Sequence, residues 1–198
     1  IWEFGVEGRK YFFGSRKRWR RRMEDLSLHI LDIVENATAA DASLIFIGVV
    51  EDLGKDLLRI TVKDNGRGMD PDMLEKVRDP FITTRTTRKV GLGLSLLEQS
   101  ALECGGELVI HSKPGEGTEV TATFQRSHID RKPMGDMGAT LVALIAGNPH
   151  VDFLYTSDLE GEEVELDTRV IRVELDGLMS MNDPAVLKMI QELFKKEQ

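Results

Sequence analysis

The sequence contains very little cysteine, few aromatic residues and no long apolar run. A single cysteine, Cys104, among 198 residues excludes an internal disulfide and favours a reducing compartment. No apolar stretch reaches the roughly 18–20 residues that a membrane-spanning helix needs. The basic start of the chain is not followed by the apolar segment of a secretory signal. These absences predict a cytoplasmic location and no membrane partner.

Acidic charge dominates the chain but is unevenly distributed. The net charge is −8, yet residues 1–22 carry eight Lys or Arg against two Glu, a net of +6 that leaves −14 for residues 23–198. This break predicts that residues 1–22 are a basic extension, disordered or artefactual, outside the folded unit. The alternative is a basic arm that binds nucleic acid. A basic run alone contacts phosphates without reading the base sequence, so it is weak evidence and a nucleic-acid partner is not expected.

Residues 26–39 have helical periodicity and carry two polar side chains one turn apart. Their apolar residues include i, i+3 and i+4 neighbours, so one face is predicted to be buried. Asp32 and Asn36 are four residues apart and therefore share a side of the helix. An amide on a mostly apolar helix needs a partner. The helix alone leaves open whether Asn36 makes a structural hydrogen bond or binds a ligand.

Two β-branched runs, residues 43–50 and 57–62, predict an antiparallel hairpin. The segment Asp64-Asn65-Gly66-Arg67-Gly68 then ends the second strand. Glycines one residue apart permit a close backbone approach or a positive φ. Taken alone, such a segment is more often an ordinary turn than a binding site.

A polar, basic loop precedes a second glycine motif. Residues 81–90 hold four threonines and three cations without an apolar period, and the Gly-Leu-Gly-Leu segment at 91–94 begins a helix that ends near Glu103. Free N–H groups at a helix start attract phosphate. A P-loop does not fit, because Asp56 stands where Ser or Thr belongs. A dinucleotide fingerprint does not fit either, because Leu96 replaces its third glycine.

The order of these elements predicts an α+β fold, a two-layer sandwich whose mixed sheet is covered by helices on one face. Strands at 107–111 and 119–124 surround a turn at 113–117, and the pattern changes near residue 127. The predicted organisation is the extension at 1–22, a domain at 23–126 and a small α+β extension at 127–198. In that last part the pattern predicts helices at 136–146 and 168–175, a hairpin at 151–156 and 162–166, and a helix beginning at Pro184.

The helix motif, the Asp-x-Gly-x-Gly turn, the Gly-Leu-Gly-Leu segment and Gly117-Thr118 occur in an order and spacing that resemble a known nucleotide-binding domain. It is shared by DNA gyrase, heat-shock chaperone ATPases, sensor histidine kinases and mismatch-repair ATPases, the GHKL or histidine-kinase-like ATPase family. The resemblance spans about residues 26–125. It implies a Bergerat-type fold that binds ATP and Mg²⁺. In size the chain is similar to stand-alone members such as the anti-sigma-factor serine kinases.

The resemblance implies a role for each motif residue. Asp32 matches the catalytic base. Asn36 matches the residue that binds Mg²⁺ and also contacts ATP. Asp64 matches the adenine-binding acid, Thr118 the threonine that supports adenine through water, and Phe81 the residue that anchors a lid over the phosphates. The other predicted ATP-binding residues are Gly66, Gly68, Met69, Thr84, Arg85, Arg88, Lys89, Gly91, Leu92, Gly93 and Leu94.

Two positions depart from the family pattern. Asp32 is shorter than the usual Glu, and Lys89 occupies the first glycine position of the phosphate turn. Both departures are expected to affect transfer or cleavage of the γ-phosphate more than the binding of ATP. Nothing upstream resembles the phosphoacceptor-histidine hairpin of a sensor kinase, and His29 lies inside the nucleotide helix.

The sequence therefore favours an ATP- and Mg²⁺-binding regulatory protein, a stand-alone kinase that transfers the γ-phosphate to a protein partner bound through residues 127–198. One alternative is a non-catalytic ATP-sensing module in which nucleotide orders residues 82–90. The other is a slow ATPase. The sequence leaves open the identity of the partner and the oligomeric state.

Overall fold

The computed structural model describes residues 5–6, 9–10, 25–78 and 93–195. The strands are β1 Gly5–Val6, β2 Arg9–Lys10, β3 Leu44–Asp52, β4 Leu57–Asp64, β5 Leu108–Lys113, β6 Gly117–Gln125, β7 Asp152–Leu159 and β8 Glu162–Asp167. The helices are α1 Leu26–Ala39, α2 Pro71–Arg78, α3 Gly93–Glu103, α4 Met137–Gly147, α5 Thr168–Leu175 and α6 Pro184–Lys195. The sequence predicted no strand in residues 1–22, whereas β1 and β2 form a two-residue antiparallel pair there.

Six strands form one mixed sheet in the order β5-β6-β4-β3-β7-β8. Every neighbouring pair is antiparallel except β3 and β7, which are parallel. The register of the predicted hairpin places Ile47 opposite Val62. The α+β sandwich with a mixed sheet is confirmed.

Strands from the last third of the chain extend this same sheet. β7 pairs with β3 from Leu44↔Asp152 to Val50↔Asp158, and β8 then forms the edge. Arg126 lies at the predicted unit boundary, and its guanidinium bonds Glu51 at 3.1 Å and Glu160 at 2.8 Å. The sheet thus contains strands from both sides of residue 126, and the division of the chain into units there stays a prediction.

The core lies between the sheet and its helices. In β4 the alternate residues Leu58, Ile60 and Val62 are buried, while Arg59 and Lys63 are exposed, as a strand with one covered face requires. Helix α1 packs on β4 and contacts both α3 and α4, and α3 packs on β5 and β6. This arrangement brings the end of β4, the β5–β6 turn and the start of α3 to the region around α1.

None of the helices within the described ranges has both the length and the apolar character that crossing a bilayer requires.

Candidate functional site

The turn after β4 is fastened to the segment that joins α1 to β3. Oδ1 of Asn65 accepts hydrogen bonds from the backbone N–H groups of Ser43 and Leu44, both at 2.9 Å, and its Nδ2 donates to the Ser43 hydroxyl at 2.9 Å. A guanidinium N–H of Arg67 donates to the carbonyl of Ala39 at 2.6 Å. These bonds fix the end of β4 relative to the end of α1.

Asp64 ends β4 with a half-buried carboxylate. Its Oδ1 accepts hydrogen bonds from the backbone N–H groups of Gly66 at 2.8 Å and Thr118 at 3.3 Å. No group in the described ranges donates to Oδ2. Burial raises the pKa of the Asp64 carboxyl, although the two backbone hydrogen bonds favour the charged form. One carboxylate oxygen is therefore held in place, and the other is available as an acceptor.

Two glycines allow the turn after β4 to approach the turn between β5 and β6. Gly68 has φ +64°, and a Cβ there would lie 2.0 Å from the carbonyl oxygen of Lys113. Gly117 has φ +93°, and a Cβ there would lie 1.9 Å from the carbonyl oxygen of Asp64. Any side chain at either position would push the turns apart and would also be strained in the left-handed region. These glycines set the position of the Asp64 carboxylate.

Ser112, which the sequence did not mark as a site residue, connects the predicted site residues Met69 and Thr118 with the motif glycine Gly117. Its Oγ accepts a hydrogen bond from the backbone N–H of Met69 at 2.8 Å. The same atom lies 2.8 Å from Oγ1 of Thr118 and 3.2 Å from the carbonyl oxygen of Gly117. The one signal in the sequence is its alternation with the buried Ile110 in β5, which places Ser112 on the covered face of the sheet.

A cleft of about 300 Å³ lies at this end of the sheet. Its lining includes the acceptor groups of Asp64, Ser112 and Thr118 and the apolar side chains of Leu74 and Ile110. The ionisable residues of the lining are Lys63, His111, Lys113, Glu116 and Glu119. Fixed polar groups beside apolar side chains are found in small-molecule sites. The cleft therefore offers a fixed acceptor, Oδ2 of Asp64, to a ligand that carries a hydrogen-bond donor.

A second group of predicted residues lies where α1 meets α3. A Cβ built on Gly93 would be 2.8 Å from both Cβ and Oδ2 of Asp32, so the two helices touch here. Asp32 is an exposed residue, but partial desolvation of its carboxyl, and then the charge of Glu35, raises the pKa of that group. Asn36 is half-exposed one turn later, and no described residue hydrogen-bonds its side-chain amide. Leu94 is buried in the core.

His29, which the sequence places inside the nucleotide helix, is buried on α1. Lys132 Nζ lies 3.2 Å from its Nε2. Burial and the ammonium group of Lys132 lower the pKa of His29 to about 4, while a backbone hydrogen bond with Gly93 acts in the opposite direction. The imidazole is therefore neutral near pH 7.

The described site residues thus form two groups, and the remaining predictions lie outside the described residues. The first group, at the ends of β4 to β6, is Asp64, Gly66, Gly68, Met69 and Thr118. The second group, where α1 meets α3, is Asp32, Asn36, Gly93 and Leu94. Outside the described ranges lie Phe81, Thr84, Arg85, Arg88, Lys89, Gly91 and Leu92.

Within the described ranges, no cluster of three or more His, Cys, Asp or Glu is placed to hold a metal ion. Mg²⁺ does not need such a cluster, because it uses one or two protein oxygens together with phosphate oxygens and water. A site with one amide oxygen from Asn36 is compatible with that chemistry.

The family model described as "Histidine kinase-, DNA gyrase B-, and HSP90-like ATPase" matches residues 22–128, more than half of the chain. The chain therefore belongs to this ATPase family, as the motifs predicted. The finer likeness to anti-sigma-factor kinases stays a prediction.

Curated relatives of the chain include sensor kinases. A putative sensor protein of Shewanella frigidimarina is 32% identical over 103 residues, which cover 51% of this chain and 16% of that protein. The sensor protein kinase FleS of Pseudomonas aeruginosa is 41% identical over 92 residues, which cover 46% of this chain and 23% of that protein. The match thus spans less than a quarter of either relative.

A solved structure shares the fold. A crystal structure of the N-terminal domain of a DNA repair protein matches with a TM-score of 0.50 and 18% identity, over 77% of this chain and 56% of that chain. At this identity the likeness concerns the fold alone.

Proposed function

We propose that the chain binds ATP with Mg²⁺ along the region from the β4–β6 cleft to the start of α3, and that it transfers the γ-phosphate to a protein partner. The observation that carries this proposal is Asp64, whose Oδ1 is held by two backbone N–H groups while Oδ2 remains an acceptor in a partly apolar cleft. Membership of the ATPase family and the similarity to sensor kinases support it.

At the cleft, the chain's own residues would recognise adenine. Oδ2 of Asp64 would accept a hydrogen bond from the amino group of the base. Leu74 and Ile110 would cover apolar parts of the ring, and burial of such a ring removes apolar area from water. The close turns at Gly68 and Gly117 would hold the acceptor in place before the nucleotide arrives.

At the junction of α1 and α3, other residues would hold the phosphates. The amide oxygen of Asn36 would bind Mg²⁺, a metal that neutralises phosphate charge when it is bound. The start of α3 at Gly93 provides backbone N–H groups and the positive end of the helix dipole. Among the predicted residues outside the described ranges, Arg85, Arg88 and Lys89 would add positive charge.

Asp32 would act as the proton acceptor for the attacking hydroxyl or imidazole of a protein substrate. Its raised pKa brings it closer to neutral pH, where a general base is most effective. Its short side chain is the feature that separates the kinase from a non-catalytic ATP sensor or a slow ATPase.

Residues 127–198 would provide the surface for the protein partner. Val170 and Val173 of α5 are 56% and 78% exposed, and Leu178 after this helix is 85% exposed. Exposed apolar side chains that are close along the chain are typical of interaction surfaces. This assignment supports a role in which the chain acts on, or responds to, another protein.

The deciding experiment measures binding and transfer separately. ATP and Mg²⁺ are titrated calorimetrically into wild type, Asp64→Asn and Asn36→Ala, with Asn182→Ala as the control because Asn182 is exposed in a loop before α6. The same proteins are incubated with γ-labelled ATP, Mg²⁺ and host lysate.

We expect Asp64→Asn to weaken ATP binding and Asn36→Ala to weaken its Mg²⁺-dependent part, with Asn182→Ala like wild type. A labelled protein band that Asn36→Ala abolishes would support the kinase. Binding without transfer would favour the ATP sensor, and release of free phosphate alone would favour the slow ATPase. A wild type that does not bind ATP would overturn the proposal.

A further inference from the structure

The hydroxyl group of Ser112 has three polar neighbours at the base-binding end of the cleft. Its Oγ accepts a hydrogen bond from the backbone N–H of Met69 at 2.8 Å. It lies 3.2 Å from the carbonyl oxygen of Gly117 and 2.8 Å from Oγ1 of Thr118. Three contacts therefore converge on a group that has a single proton.

One assignment of protons makes all three contacts hydrogen bonds. A carbonyl oxygen can only accept, so the proton of Ser112 is donated to Gly117. The bond between the two hydroxyls must then use the proton of Thr118, which Ser112 accepts. Oγ1 of Thr118 is left with lone pairs and has no proton to offer to the cleft.

Asp64, like Thr118, presents only hydrogen-bond acceptors to the cleft. An ionised carboxylate is an acceptor only, and its Oδ1 is already engaged by two backbone N–H groups. Asp64, Ser112 and Thr118 all line the cleft. The side chains of these three residues together present acceptors and no free donor. Two lysines also line the cleft, and each is paired with a carboxylate: Lys63 with Glu119 at 3.1 Å and Lys113 with Glu116.

We propose that Ser112 is a positioning residue for base selection: by taking the proton of Thr118, it leaves the Thr118 hydroxyl, like the Asp64 carboxylate, able only to accept hydrogen bonds. Such a cleft selects a purine with an exocyclic amino group and rejects one with a carbonyl oxygen at that place, because two acceptors repel each other. Without Ser112, the hydroxyl of Thr118 is free to rotate and to donate to that carbonyl. The inference rests on the ATP-binding function proposed above.

The test compares the dissociation constants of ATP and inosine triphosphate, whose base has a carbonyl oxygen in place of the amino group. Both are measured by calorimetry for wild type, Ser112→Ala and Ser112→Thr. Wild type should prefer ATP, and Ser112→Ala should lower this preference about fivefold, the effect of one neutral hydrogen bond. Ser112→Thr keeps a hydroxyl and should keep the preference.

A purely structural role for Ser112 predicts a different result. Loss of local order would weaken both nucleotides equally and leave the preference unchanged, which would overturn the proposal. A second control places Ser112→Ala in a Thr118→Val background, where no hydroxyl is left to rotate. There the preference should not change further, and a further fall would also contradict the proposed role.

Circular dichroism establishes whether Ser112→Ala is folded. If it is not, Ser112→Cys replaces it, because a thiol has similar size and is a weak acceptor, and the preference should fall in the same direction. A wild type that binds no ATP overturns both the function and this inference. A wild type that binds ATP, with an unchanged preference in a folded Ser112 variant, overturns the role of Ser112 alone.

Discussion

Gly93 of α3 lies so close to Asp32 of α1 that a Cβ on the glycine would be 2.8 Å from both Cβ and Oδ2 of the aspartate. Real Cβ atoms essentially never approach other heavy atoms this closely. The two helices that carry the proposed phosphate-binding residues therefore meet at a point that admits only a hydrogen atom. The spacing of the helices and the position of the candidate base depend on the same contact.

We expect Gly93→Ala to destabilise the protein and to weaken ATP binding. The added methyl group must displace Asp32 or separate α1 from α3, and such overpacking costs roughly 1–3 kcal/mol. Urea denaturation measures the loss of stability, and calorimetry measures the affinity for ATP.

Gly147→Ala is the matched control for this substitution, because Gly147 also lies in a helix but has no atom within 4 Å of an added Cβ. It should be neutral or more stable by about 0.5–1 kcal/mol, since alanine restricts the unfolded chain. Equal effects of the two substitutions would contradict the close contact at Gly93.

The turn between β5 and β6 offers a second matched pair of glycines. Gly115 has φ +77° and open space around a Cβ, whereas a Cβ at Gly117 would lie 1.9 Å from the carbonyl oxygen of Asp64. Gly115→Ala should therefore cost only the backbone strain, about 1–2 kcal/mol. Gly117→Ala should cost more than about 3 kcal/mol, because the strand end that carries Asp64 must also move.

Thermal unfolding and ATP titration of the two turn variants distinguish backbone strain at the substituted residue from displacement of Asp64. Gly115→Ala should lower the melting temperature while it leaves ATP affinity close to wild type. Gly117→Ala should reduce both. An ATP affinity in Gly117→Ala as high as in Gly115→Ala would mean that the position of Asp64 does not depend on this turn.

The helices and strands that the sequence predicted are those whose pattern of apolar residues lies within a short stretch of chain. The buried face of α1 and the β3–β4 hairpin follow from periodicity within about a dozen residues, and both are present. The helices and the hairpin predicted after residue 127 are also present, as α4 to α6 and β7–β8.

The parallel pairing of β3 with β7 was not predicted, because it joins Leu44 to Asp152 across about 100 residues of chain. No local pattern records which distant strand will be the neighbour, since pairing depends on how the whole sheet is assembled. The change of pattern near residue 127 therefore indicated a new unit, although the strands beyond it extend the same sheet.

The candidate site shows the same limit at the level of single residues. Asp64 and Gly117 were predicted because they belong to motifs with fixed spacing. Ser112 was not, because its partners Met69 and Thr118 reach it only through the sheet register and the turn after β4. Asn65 was assigned to a turn, but its bonds to Ser43 depend equally on tertiary structure.

His29 predicts a pH dependence of stability. Its pKa is lowered from 6.5 to about 4 in the folded protein, so the unfolded chain binds the proton between these values and the folded chain does not. The stabilisation is fully present above pH 6.5 and is lost as the pH falls towards 4. Its full size is at most about 3 kcal/mol.

Urea denaturation from pH 7 to pH 4, for wild type and His29→Gln, isolates this effect. Glutamine can keep an acceptor for Lys132 but does not titrate. The stability difference between the two proteins should therefore shift in favour of the glutamine variant as the pH falls. Parallel stability curves would show that His29 is not the responsible group.

Asp32 predicts how the proposed transfer reaction depends on pH and on the candidate base. As a base it must be deprotonated, so the rate should rise with pH through its raised pKa. Asp32→Asn keeps the size and removes the base, so it should slow transfer by about 100-fold or more while ATP affinity changes little. If Asp32→Glu raises the rate, the short side chain tunes the native site down.

Glu35→Gln is the informative control, since Glu35 is exposed on the same helix and its charge helps to raise the pKa of Asp32. Removing that charge should lower the pKa of Asp32 and move the pH–rate profile to lower pH, without loss of the maximal rate. Rates of γ-phosphate transfer measured as a function of pH give both comparisons. An Asp32→Asn variant as fast as wild type would show that another group accepts the proton, because an amide cannot take that role.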